Sequence, residues 1–117
     1  ILIIDDAPDM LLIFRKMLEM YDYLVLTSEN GNQAFKEIQK HPDICCVFVD
    51  LKMPEMNGFE FLGLIRKMQV LDRVPIVVET AYTSLELINL GKKYGVSAWV
   101  KKPFEEIKIL EILDQVL

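Results

Sequence analysis

The chain is poor in the residues that most metal, redox and nucleic-acid chemistry requires. Its 117 residues include one histidine and two cysteines. Cys45 and Cys46 are neighbours, where a disulfide would be strained, and no further Cys or His cluster completes a zinc site. They read as two small apolar residues of a strand, one facing each way; reduced thiols of this kind point to the cytosol. Basic residues are in deficit: 13 Lys and Arg stand against 18 Asp and Glu, a net charge of -5. That argues against a nucleic-acid surface, which needs clustered cations to neutralise phosphates. No apolar run approaches the ~20 residues of a membrane span, and no signal peptide is recognisable. The opening residues, ILIIDD, lie inside an apolar run without an initiator Met. The expectation is a single domain over 1–117 that is a fragment of a longer chain.

What is present is an alternation. Apolar residues make up 52% of the chain and charged residues 26%, ordinary for a globular protein with one real core. Apolar runs at 1–4, 24–27, 44–49, 76–78 and 98–100 predict five strands, mostly too apolar to be half-exposed. Segments with helical spacing at 8–21, 31–41, 58–68, 84–94 and 104–117 predict five helices between and after them. The punctuation agrees. Pro8 suits a first helical turn, Ser84 can cap a helix with Glu86 in its first turn, and Gly95 follows Tyr94 as a C-terminal glycine. Pro75 opens a strand rather than interrupting one. Strands apolar on both faces, alternating with helices, imply an α/β doubly wound parallel sheet with helices on each side.

In such sheets functional groups collect beyond the carboxyl ends of the strands, at the topological switch point. The first strand ends in Asp5-Asp6, the third in Asp50, the fourth in Thr80-Ala81 and the fifth in Lys101-Lys102-Pro103. Like carboxylates a few ångströms apart repel by about 4 kcal/mol per pair at an effective dielectric near 20. Such a cluster stays ionised only around a cation, and few hard oxygen ligands with room for water suit Mg²⁺ best. With an ammonium and a hydroxyl added, the set can hold and transfer a phosphoryl group, where catalysis is positioning and charge neutralisation.

Four stretches in order, IIDDAPD, VDLKMPEMNGFEFL, VETA and KKPF, each at a predicted strand end, resemble a response-regulator receiver domain. This is the CheY-like phosphoacceptor module of two-component signalling, with a flavodoxin-like (βα)5 fold, and the match runs along the whole chain. The resemblance makes Asp50 the acceptor of a phosphoryl group from a partner histidine kinase or phosphotransfer protein. It makes Asp5, Asp6 and Asp50 side-chain ligands of Mg²⁺, with Lys52 adding a backbone carbonyl. Thr80 and Lys102 engage the phosphoryl oxygens, and the Lys102–Pro103 bond is cis. The domain is then not an enzyme in the ordinary sense, although it promotes its own phosphotransfer and dephosphorylation. It is expected in the cytoplasm, with no direct nucleic-acid or membrane contact.

In the family, the hydroxyl residue moves toward the phosphoryl group and an aromatic residue of the fifth strand turns inward. Thr80 and Trp99 hold these switch positions. Trp is larger than the usual Tyr or Phe, and its indole N–H needs a partner when buried. Apolar residues on more than one face of the fourth and fifth helices predict a docking surface of Leu87, Leu90, Trp99, Ile109 and Ile112, for a second receiver copy or an output domain. Glu79, where an apolar residue is usual, is expected to point to solvent beside the site. Tyr82 is placed to slow attack of water on the phosphoryl group, and His41 reads as a surface helix-end residue. Other readings compete. An acid-nucleophile phosphatase would want a second acid where Lys52 stands. A flavodoxin-like cofactor binder would not tolerate the acidic DDAPDM loop. A scaffold that is never phosphorylated would be expected to have lost an acid, Thr80 or Lys102.

Overall fold

The computed structural model describes every residue except Pro54, which belongs to the second of the four strand-end stretches, and Val70. Its elements are β1 (Leu2–Ile4), α1 (Pro8–Glu19), β2 (Leu26–Ser28), α2 (Gly31–Lys40), β3 (Val47–Asp50), α3 (Gly58–Lys67), β4 (Ile76–Thr80), α4 (Leu85–Lys93), β5 (Ala98–Lys101) and α5 (Glu106–Val116). The five strands form one parallel sheet in the order β2-β1-β3-β4-β5. The chain steps from β1 outward to β2 and then crosses to β3, so the strand order reverses between β1 and β3. That reversal is the switch point at which such sheets open a crevice.

Period-two alternation divides the strands between two cores. Ile3, Phe48, Val77 and Val100 pack with Phe14 and Leu18 of α1 and Ile109, Ile112 and Leu113 of α5. Leu2, Ile4, Val47, Val49, Ile76 and Val78 pack on the other face with Ala34 and Ile38 of α2 and Phe61, Leu62 and Ile65 of α3. Each such side chain contributes about 1.5–3 kcal/mol by leaving water. A sheet covered on both faces has no use for alternating polar residues, hence the apolar runs.

Helix starts follow local chemistry. The side chains of Asn30, Asn57 and Ser84 accept from the N–H groups of Gln33, Glu60 and Leu87. Asn57 and Glu60 form a reciprocal capping box. His41 closes α2 as its C-cap, beside Glu37. Cys45 is exposed and Cys46 buried, both as free thiols leading into β3.

Two expected surface residues are corrected. Ile109 and Ile112 lie in the core with Leu113, because positions 109, 112 and 113 form the inward stripe of α5. The outward apolar residues of that helix region are Ile107 and Leu117. Leu90 is exposed, while Leu87 and Trp99 are half-buried.

Candidate functional site

The alternation that places Phe48 in the α1 and α5 core carries Asp50 to the same side at the end of β3. There it meets the acids that follow β1. Carboxylate oxygens of Asp5, Asp6 and Asp50 all lie within 4.8 Å of one another. Asp5 and Asp50 are buried and Asp6 is exposed, so the cluster opens to solvent on one side. From beyond β5, Lys102 reaches into it. Its Nζ donates to Asp5 Oδ2 at 2.7 Å and to Asp50 Oδ2 at 3.1 Å. The remaining oxygens of the two buried acids take backbone N–H groups: Asp5 Oδ1 that of Ala7 at 3.0 Å, Asp50 Oδ1 that of Lys52 at 3.2 Å. The Lys102–Pro103 bond is cis.

The electrostatics follow. Burial raises the Asp50 carboxyl above its ordinary range, against the opposing hydrogen bond and charge of Lys102. Burial also pulls the Lys102 ammonium down, but the hydrogen bonds to Asp5 and Asp50 outweigh it and the net shift is upward. One ammonium thus partly offsets three acids, and an all-oxygen donor set with a solvent-facing side fits a small hard divalent cation.

Thr80 ends β4 at the same rim, buried. Its hydroxyl donates to the Tyr82 carbonyl at 2.8 Å and accepts the Tyr82 N–H at 3.2 Å, so it is held within its own loop. The Tyr82 side chain is exposed. Trp99 lies on the sheet face opposite Asp50, packed with Phe59, whose ring centroid is 6.3 Å away.

Glu79 departs from expectation. It is not solvent-facing but 0% exposed, and neither carboxyl oxygen has a hydrogen-bond partner among the described residues. The physical reason is the length of β4, which runs through Thr80 instead of stopping at Val78. Glu79 therefore shares the parity of Val77 and is carried inside. Burial pushes its pKa up to about 9, with the charges of Asp5 and Asp50 adding and that of Lys102 opposing. This setting favours the protonated form of the carboxyl.

One positioning residue went unrecognised in the sequence. A Cβ on Gly58 would lie 2.6 Å from the Asp50 carbonyl oxygen and 3.1 Å from Leu51 Cα, both backbone atoms with little freedom to yield. Only glycine lets the start of α3 close onto the end of β3, where the Gly58 N–H donates to the Leu51 carbonyl at 3.1 Å. The Asn57-Gly58 pair was its sole signal.

Comparison with known proteins agrees with this geometry. The family model of the response regulator receiver domain matches residues 1–114. The chain is 33% identical to sporulation initiation phosphotransferase F of Bacillus subtilis, covering 99% of this chain and 89% of that one. It is 30% identical to protein PilH of Pseudomonas aeruginosa, over 100% and 96% of the two chains. The solved structure of chemotaxis protein CheY4 of Vibrio cholerae superposes with a TM-score of 0.94 at 32% identity, covering 99% of this chain and 96% of that chain. The chain belongs to the response-regulator receiver-domain family of two-component signalling.

Proposed function

We propose that this receiver domain is a phosphorylation-dependent switch in which Asp50 accepts the phosphoryl group. The observation that carries the reading is the setting of Asp50. It is a buried carboxylate at a strand end, with one oxygen on Lys102 Nζ, the other on the Lys52 N–H, and two further acids within reach.

In this reading the donor is a phosphohistidine on a histidine kinase or phosphotransfer protein. An Asp50 oxygen attacks phosphorus, the P–O bond forms as the P–N bond breaks, and the electron pair stays on the histidine nitrogen. Asp50 becomes an acyl phosphate. With Asp5, Asp6, Asp50 and the Lys52 backbone carbonyl as ligands, a bound Mg²⁺ supplies charge neutralisation to the transferring oxygens. Lys102, already bonded to Asp50, donates to the same oxygens, which is positioning rather than acid–base work. The Thr80 hydroxyl exchanges its bonds to the Tyr82 backbone for one to the phosphoryl group. The domain thereby assists transfer to and loss from its own side chain. Tyr82 shields the acyl phosphate from water in this scheme.

The surface that reads the change is α4 with β5 and the outer side of α5, where Leu85, Leu90 and Ile107 are exposed and Leu87 and Trp99 half-exposed. Its partner is a second receiver copy or an output domain, in the cytoplasm. The test is intact mass after incubation with a small phosphodonor and Mg²⁺. One phosphoryl increment on wild type, absent from Asp50→Asn and from wild type in EDTA, supports the reading. An unmodified wild type favours a scaffold that acts without phosphorylation.

A further inference from the structure

Helix α4 buries little. Of its nine residues only Gly91 is inaccessible, and Leu87 and Ile88 are half-buried, so the helix has none of the fully buried apolar side chains that tie α1, α2, α3 and α5 to the sheet. Two contacts hold its C-terminal part. At its C-terminal end, Arg66 of α3 donates Nε to the Tyr94 carbonyl at 2.9 Å and Nη2 to the Gly95 carbonyl at 3.3 Å. Just before that end, Gly91, the seventh of the nine residues, faces the indole of Trp99. A Cβ on residue 91 would lie 2.5 Å from Trp99 Cζ2, 3.3 Å from Trp99 Cε2 and 3.3 Å from Val96 Cγ2. Glycine inside a helix is otherwise a liability, so its presence there needs a reason, and the ring supplies one. The indole also packs against Phe59, which is itself stacked on Tyr94 at 6.0 Å.

We propose that Gly91 is the positioning residue for Trp99: the missing side chain forms a notch in α4 that seats the indole inward. The bulk of Trp at this position is offset by the absence of any side chain opposite it. With the half-buried ring held against Gly91 and Phe59, its outward turn requires α4 to move. A change at the Thr80 end of β4 then reaches the surface as a shift of α4 together with the indole, not as rotation of the ring past the helix. This last step rests on the phosphoacceptor reading; the seat itself does not.

Trp99 is the chain's single tryptophan, so its emission reports on the seat directly. Gly91→Ala should lower the melting temperature by on the order of 5 °C through overpacking and should red-shift the emission with increased acrylamide quenching. In a Trp99→Leu background the same Gly91→Ala change should raise the melting temperature, because only helix propensity remains. A rise in both backgrounds overturns the seat. For the second step, wild type is compared with and without Mg²⁺ and beryllofluoride as phosphoryl mimic. Unchanged emission and quenching support a ring that stays seated, and a red shift with increased quenching overturns it. Intact mass of wild type with a small phosphodonor reads the phosphoacceptor reading separately. With no adduct there, the shift of α4 falls with that reading, while the melting temperatures still decide the seat.

Discussion

Asp50 and Glu79 are register partners on adjacent parallel strands, and their carboxyl groups meet opposite fates. Asp50 finds Lys102 and the Lys52 N–H, whereas Glu79 is sealed in without a partner for either oxygen among the described residues. The contrast sets how the domain should respond to pH.

Glu79 has a folded-state pKa raised to about 9 from an ordinary value of 4.5. An acid shifted this way binds its proton more tightly when folded, so its contribution to stability declines as pH rises from about 4.5 to about 9. The ceiling of that decline is several kcal/mol. Glu79→Gln, which cannot titrate, should flatten the fall in stability between pH 5 and 8 measured by denaturant unfolding in EDTA. Glu79→Val should raise stability at pH 8 by removing the buried polar group. Parallel pH profiles for wild type and Glu79→Gln would contradict the assignment.

Lys102 offsets two buried acids at once. Lys102→Met keeps the length of the side chain and leaves those acids facing each other uncompensated. Without divalent ions it should lose about 2–4 kcal/mol, somewhat less than for a fully sealed pair because the lysine side chain is 20% exposed. The deficit should shrink at acid pH, where protonated carboxyls need no counterion. Equal loss at pH 4 and pH 7 would show that packing, not charge, is at stake.

Magnesium should stabilise the fold by mass action. At a concentration one hundred times its dissociation constant the gain is about 2.7 kcal/mol, reversible with EDTA. Asp6→Asn removes an exposed member of the cluster without opening the core, so its effect without Mg²⁺ should be small while most of the Mg²⁺-induced rise in melting temperature disappears. A variant with the full magnesium response would remove Asp6 from the site.

Gly58 admits no side chain without moving backbone. Gly58→Ala should cost about 1–3 kcal/mol by displacing the β3–α3 connection, and should slow phosphodonor labelling by moving Asp50. Wild-type stability together with wild-type labelling would show that the connection yields freely.

Much of this was legible in the text of the chain. Apolar runs at strand length and helical spacing between them are enough for a doubly wound sheet, and Asp5, Asp6, Asp50 and Lys102 could be brought together because each follows a strand end. The strand boundaries were less so. Leu24 reads as strand but is 87% exposed, since the β2 ladder starts only at Leu26. The two residues by which β4 exceeds its apolar run turn Glu79 inward, and no composition rule anticipates a sealed acid without a partner among the described residues. On α5, six apolar residues offer more than one stripe, and only packing shows that Ile109, Ile112 and Leu113 are the ones inside. Close approaches such as Gly58 to Asp50 and Gly91 to Trp99 depend on distances in space that no spacing encodes.

The most direct measurement traps the modified residue itself. After brief exposure to a small phosphodonor and Mg²⁺, borohydride reduction converts an aspartyl phosphate to homoserine, which peptide mass spectrometry can place in the chain. The account predicts homoserine at position 50 alone, and none when Mg²⁺ is withheld. Homoserine at position 5 or 6 with Asp50 intact, or none anywhere, would contradict it.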